Sequence, residues 1–385
     1  MYRTLRPTGN KVSLKSTPLS DDFFAPYHVQ FVQSGTAALA AAILAAIKKA
    51  KMQRHISAPI IILPAYACPD LISATLYAGA KPLLIDFIPN RPWLDIPAIE
   101  AVIDASIVAI IAMNFMGIPE QMSDLKRLSM KHNITLIEDS AQGFPLSINA
   151  SYWSGDIVIS SFGRGKPLSL LHGGIILSTE SKLFDLLPHL EILGESLFSK
   201  LKYYLKVNIY NLMTKPLLYH WLLRIPGLKV GETIFKPLNK LESCPNFIKK
   251  LISRNYELYA NKELITRKFH TMLTRINSEF IIDLPEACGF NMDMPLLRYP
   301  ILITDSSIHQ VLRTELTKMG LGASIMYEKI LPNITGVDKS WFSQIQNYPN
   351  ASLFAQQLLT LPTHEDVSHQ DIAKIENLFQ KHCEK

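Results

Sequence analysis

Apolar residues in the first half of the chain come in short unbroken runs rather than in strict alternation. PIIILPA (59–65), KPLLIDFI (81–88), IVAIIAMNF (107–115), ITLIEDSA (134–141), DIVISSFG (156–163) and GGIILST (173–179) each read as a strand buried on both faces. The segments between several of them carry helical signals. The alanine-rich stretch 36–52 predicts a helix, DLISATLYAGA (70–80) a second that ends near Gly79, and IPAIEAVIDA (96–105) a third. PEQMSDLKRLSMKHN (119–133) predicts a fourth, opened by Pro119. Strands alternating with helices predict an α/β protein with a doubly wound, mostly parallel sheet covered on both sides. After Ser253 the texture changes. A long charged helix over roughly 246–277, RYPILIT (298–304), a helix near 307–319, a short ASIMY segment (323–327) and two further helices predict a smaller C-terminal α/β domain. The division expected is an N-terminal arm and large domain over 1–245, with an insert at about 185–235, and a small domain over 246–385.

Composition narrows the picture. The chain has 385 residues, 48% of them hydrophobic and 19% charged, which suits a large packed core. Its four cysteines, Cys68, Cys244, Cys288 and Cys383, form no CxxC pair, so neither a zinc site nor a disulfide framework is expected. The first residues hold no apolar signal segment, and a cytoplasmic setting is expected. The net charge of +6 is concentrated: residues 200–229 hold six cations and no acid. No nucleic-acid motif accompanies it, so no nucleic-acid partner is expected. Residues 197–229 are also rich in Leu, Ile, Tyr and Trp but too interrupted to span a bilayer. Two readings stay open: a helical hairpin packed on the core or on a second subunit, or a segment lying on anionic lipid at a membrane periphery.

Candidate chemistry collects where strands end. Ser34, Gly35 and Thr36 precede a helix, where small residues and the helix dipole favour an anion, although Ser and Thr are also ordinary caps. Asp139 ends an apolar strand, where a carboxylate needs a partner or a task; structural pairing is the plain alternative. Gln142 follows three residues later. Ser161 ends another strand, and Lys166 follows across Gly163 and Gly165. A lone lysine is more often solvated, but one held at a sheet edge becomes a nucleophile when desolvated. A phosphate turn, an acid and a lysine match the needs of pyridoxal 5'-phosphate: phosphate donors, an acid beside the pyridine nitrogen and an amine for the carbonyl.

SGTAAL (34–39), LPAY (63–66), GIPEQM (117–122), EDSAQ (138–142), SFGRGK (161–166), Gly173–Gly174, Ala355 and LLTLPTH (358–364) together resemble the DegT/DnrJ/StrS family of sugar aminotransferases, which share the aspartate aminotransferase fold type I. The resemblance implies a homodimer and an amino group moved from an amino acid such as glutamate to a keto sugar, nucleotide-linked, for glycan synthesis. It implies Lys166 as the catalytic lysine, Asp139 on the pyridine nitrogen, Gln142 near the ring 3-hydroxyl, and Gly35, Thr36 and Ser161 on the phosphate. Four positions depart from the family pattern. Cys68 stands where an aromatic residue covers the ring, with Tyr66 an alternative; Asn114 and His172 replace a histidine and an acid. A Gly-Tyr-Asn segment that serves the partner subunit is missing, with GETIF (231–235) in its region. A catalytically idle relative and a dehydratase stay open as alternatives; Lys166 and Asp139 speak against the first, and Lys166 against the second.

Overall fold

The computed structural model describes residues 3–149, 151–192, 194–225, 231–262 and 264–383. Among these, seven strands form one sheet: β1 (His28–Val32), β2 (Ile60–Pro64), β3 (Lys81–Ile85), β4 (Ile107–Met113), β5 (Thr135–Asp139), β6 (Ile157–Ser161) and β7 (Gly174–Ser178). Their spatial order is β1-β7-β6-β5-β4-β2-β3. Strands β3, β2, β4, β5 and β6 pair in parallel, as their fully apolar runs predict. Strand β7 pairs antiparallel with both β6 and β1. No helix links β6 to β7, because an antiparallel pair needs no crossover and a loop over residues 162–173 suffices.

Helix α1 (Gly35–Gln53) lies across this sheet, with most of its alanines buried. Alanine keeps the helix surface thin, so its backbone approaches the strands closely. Helices α2 (Asp70–Tyr77), α3 (Ile96–Val102) and α4 (Met122–His132) follow their strands. Helix α4 begins at Met122 with Gln121 as its cap, so Pro119 lies in the preceding turn and does not open the helix.

Past the short α5 (Ser181–Phe184), the insert forms two helices, α6 (Leu197–Met213) and α7 (Pro216–Leu222). The single long helix expected over 246–277 is divided into α8 (Asn246–Lys249), α9 (Ile252–Ala260) and α10 (Thr266–Ile276). Asn261 ends α9. Its backbone N–H makes the last i→i−4 bond, to the Glu257 carbonyl, and its side-chain amide donates to the same carbonyl and competes for that acceptor.

The remaining elements are β8 (Ile281–Asp283), α11 (Leu284–Ala287), β9 (Arg298–Ile303), α12 (Ser306–Lys318), α13 (Pro349–Gln357), β10 (Leu358–Pro362) and α14 (His369–Cys383). They build a second, antiparallel sheet in the order β10-β9-β8. ASIMY is not a strand; its Ser324 makes one isolated bridge to Thr360 of β10. No described helix is long and apolar enough to cross a membrane.

Candidate active site

The carboxyl ends of β4, β5 and β6, the loop after β2 and the starts of α1 and α2 surround a cavity of about 240 Å³. This is the edge where ligands bind in open α/β sheets. Ser34, Gly35, Thr36, Cys68, Asp139, Gln142, Ser161 and Lys166 all line it, so the structure brings every expected site residue together.

Ser34 caps α1, its Oγ accepting the Ala37 N–H at 3.1 Å. The cap and anion readings coexist there, since the N–H groups of Gly35 and Thr36 fall in the first turn and have no intrahelical acceptor. The glycines set how closely the helix start can approach the strands. A Cβ on Gly35 would meet Ser161 Cβ at 2.6 Å, and one on Gly174 would meet the Ser34 backbone at 2.7 Å. Side chains at either position would push α1 off the ends of β6 and β7.

Lys166 is half-buried on the β6–β7 loop. That loop is held at several points. Phe162 N–H donates to the Gly173 carbonyl at 2.9 Å, Gly163 N–H to Ser161 Oγ at 3.2 Å, and Asn10 Nδ2 to the Pro167 carbonyl at 3.0 Å. Gly165 has φ +75°, a left-handed conformation that a side chain resists. The lysine therefore sits on a shaped loop against the N-terminal arm.

Asp139 is the last residue of β5 and is buried. Burial raises its carboxyl above the usual range, opposed by the Ala141 N–H at 2.9 Å and the nearby Lys166 charge. Burial pushes the Cys68 thiol up to about 12, so it remains a neutral, polarisable wall. Gln142 accepts the Met116 N–H at 3.1 Å, which fixes its amide orientation. Tyr66 does not line the cavity. It lies in an aromatic core with Phe87, Phe115, Tyr327 and Phe354, and its hydroxyl donates to the Tyr327 carbonyl at 3.1 Å.

The other departures have structural places. Asn114 donates to Glu138 at 2.9 Å and accepts the Glu120 N–H, tying β4 to β5. His172 is largely buried, and burial lowers its pKa, so it is a neutral imidazole at physiological pH. GETIF lies against the same chain, with Phe235 N–H donating to the Thr335 carbonyl at 3.0 Å.

Sequence reasoning missed Asp70, Met113 and Arg164, which also line the cavity. Asp70 had a signal, an acid at the first position of a helix. Met113 ends β4 just as Asp139 ends β5, the two being register partners. Arg164 lay inside SFGRGK, masked by the lysine two residues on.

The model of the DegT/DnrJ/EryC1/StrS aminotransferase family matches residues 21–213, half of the chain. The chain belongs to that family. Among curated relatives, it is 29% identical over 191 residues to the GDP-perosamine synthase of Escherichia coli O157:H7, covering 48% of this chain and 50% of that one. It is 32% identical over 126 residues to a UDP-N-acetyl-3-dehydro-alpha-D-glucosamine 3-aminotransferase of Acidithiobacillus ferrooxidans, covering 32% and 34%. The chain thus spans half or less of these relatives' length. Among solved structures, Helicobacter pylori PseC, an aminotransferase of pseudoaminic acid biosynthesis, superposes with a TM-score of 0.70 over 99% of both chains at 15% identity. That likeness establishes the fold.

The cavity residues fit the cofactor that the family implies. A half-buried amine and a buried carboxyl share one cavity with a helix start pressed against Ser161.

Proposed function

We propose that this protein is a pyridoxal 5'-phosphate-dependent aminotransferase. In this reading it moves an amino group from an amino acid, glutamate in the first instance, to a keto sugar linked to a nucleotide, for polysaccharide or glycan synthesis. The observation that carries the reading is the convergence of Lys166, Asp139 and the start of α1 on one cavity. When bound, the cofactor supplies an electron sink for the carbon that gains or loses the proton.

The chain's own residues then have separable tasks. Lys166 Nζ holds the cofactor's carbonyl carbon and later moves a proton, for which its position on a short, braced loop suits it. Asp139 keeps the pyridine nitrogen protonated. Its burial strengthens that ion pair, because few waters compete for the charge. Ser34, Gly35, Thr36 and Ser161 hold the phosphate, with backbone N–H groups as donors. Gln142, its carbonyl oxygen already committed to Met116 and one amide hydrogen directed at Met113 Sδ, has its second amide hydrogen for the ring oxygen, and Cys68 packs against the ring. We also propose a homodimer, the arrangement the fold type implies, and a large domain over 1–245 followed by a small one over 246–385.

A half-reaction tests the reading. The purified protein mixed with pyridoxal 5'-phosphate is expected to absorb in the visible range and to lose that band when glutamate is added. Added UDP- or GDP-linked keto sugars are expected to restore it. A protein that takes up no cofactor, or a band indifferent to every amino acid tried, would refute the proposal.

A further inference from the structure

The insert formed by α6 and α7 presents two unlike faces. On α6 and its C-cap, Tyr203, Val207, Tyr210 and Thr214 follow one another at intervals of four, three and four and turn inward. Tyr203 Oη donates to the Leu170 carbonyl at 2.7 Å, and Lys206 Nζ donates to the Leu171 carbonyl at 3.1 Å, both on the Lys166 loop. Asn211 exchanges two hydrogen bonds with Val12 of the N-terminal arm, at 2.9 and 2.8 Å. Arg6 donates to the Thr214 carbonyl at 3.0 Å, and Thr4 N–H to the Pro216 carbonyl at 3.0 Å. The inner face is fixed to the body of the protein, so the outer face is held in place rather than free to fold over.

The outer face is apolar. Leu201, Leu205, Ile209 and Leu212 recur at intervals of four, four and three, and Leu217 and Trp221 extend the stripe onto α7. Leu201 is 68% exposed and Trp221 56%. Such a stripe is unusual on a surface that water must cover. At 100° per residue, Lys200 and Lys202 flank it on opposite sides. Lys200 lies over the Tyr204 ring at 5.7 Å and Arg224 over the Trp221 ring at 5.5 Å, which places cation–aromatic pairs along its border. Residues 197–225 contain five cations and no carboxylate, and four of the cations remain once Lys206 is turned to the Leu171 carbonyl. Glu195, just before α6, is turned aside to the Asn246 N–H. Lys229, also in the basic insert, lies outside the described residues.

The charge decides what covers this face. A second copy meeting it across a two-fold axis would set cations against cations, with no acid in the stretch to compensate. An anionic bilayer matches both properties at once: its surface attracts the lysines, whose stems can reach past a leucine stripe that enters the acyl boundary. We infer that the outward face of α6 and α7 docks on the surface of anionic phospholipid membranes. Because the same helix packs on the Lys166 loop, docking sets that loop about one helix diameter, roughly 10 Å, from the lipid. The inference stands apart from the proposed aminotransferase activity, since neither the stripe nor its charges line the cavity.

Co-sedimentation of the full chain with vesicles tests it. Vesicles of equal parts phosphatidylcholine and phosphatidylglycerol are expected to pellet the protein at low salt, and phosphatidylcholine vesicles to leave it in the supernatant. Lys200→Gln with Lys202→Gln should lower the partition coefficient roughly thirtyfold, about fivefold per cation. Leu201→Gln, Leu205→Gln and Ile209→Gln together should abolish pelleting, with the circular dichroism spectrum unchanged because all three side chains are exposed. Wild-type protein that stays in the supernatant with anionic vesicles overturns the inference. So does pelleting that the leucine and isoleucine changes leave intact. A dimer that those changes dissociate, without vesicle binding by the wild type, would assign the face to a second copy and equally overturn it.

Discussion

Glu138 and Asp139 are neighbours at the end of β5, both buried, and both have their carboxyl pKa raised by that burial. Their surroundings differ because successive strand residues point to opposite faces. Glu138 accepts from Asn114 Nδ2 at 2.9 Å, Ser154 N–H at 2.8 Å and Gly155 N–H at 3.0 Å. The Asp139 carboxylate accepts a single hydrogen bond among the described residues and lines the cavity with Lys166. One carboxyl is saturated by its own fold and holds a loop to the sheet. The other retains acceptor capacity beside an amine, which is what a ligand site requires. Burial alone does not tell two such acids apart; the partners do.

Substitution can break this contrast. Asp139→Ala is expected to lower amino transfer by about a hundred- to a thousandfold, the scale of losing one preorganised electrostatic contact, with the melting temperature little changed. Glu138→Gln should reverse the pattern. An amide there confronts donors with a donor, so stability should fall by about 1–3 kcal/mol while turnover per folded molecule is kept. Urea titration and a half-reaction assay on both variants read the two effects separately. Near-normal turnover in Asp139→Ala would make that carboxylate structural as well.

A smaller effect comes from a third buried acid, away from the cavity. Burial raises the Glu120 carboxyl from an ordinary 4.5 to about 8, although it accepts from the Leu94 and Gln121 N–H groups. A carboxyl whose folded pKa is raised favours folding while protonated. Its contribution is complete below pH 4.5 and is lost as pH rises towards 8. Glu120→Gln keeps an acceptor for both N–H groups and has no charge to bury. Its melting temperature relative to wild type should therefore rise between pH 5 and pH 8, by about 1 kcal/mol of stability or more at the upper end. A difference that stays flat across that window would contradict the assignment.

Much of the large sheet was legible because its strands are apolar on both faces and announce themselves as runs. Strands outside that rule escaped notice, and so did one that obeys it. HVQFV, now β1, sits at the sheet edge with mixed exposure, and β8 has three residues. LLTLP, now β10, follows α13 directly at Gln357, with no glycine or proline between them to mark the change. The site was legible for a related reason. Asp139 and Ser161 end apolar runs, and a polar residue at such an end stands out. Whether Tyr66 or Cys68 faced the cavity could not be read from spacing, because it depends on the aromatic cluster from Phe354 and Tyr327, far along the chain. The outward stripe on α6 was hidden similarly, since apolar residues occupy both of its faces and only the packing partners tell them apart.

On the proposed reading, Lys166 is the residue that holds the cofactor. Borohydride reduction of the protein loaded with pyridoxal 5'-phosphate, followed by protease digestion and mass spectrometry, tests it most directly. The expected result is one reduced phosphopyridoxyl label, on the peptide that contains Lys166, absent from Lys166→Ala. A label on another lysine, or equal labelling of the Lys166→Ala variant, would contradict the account.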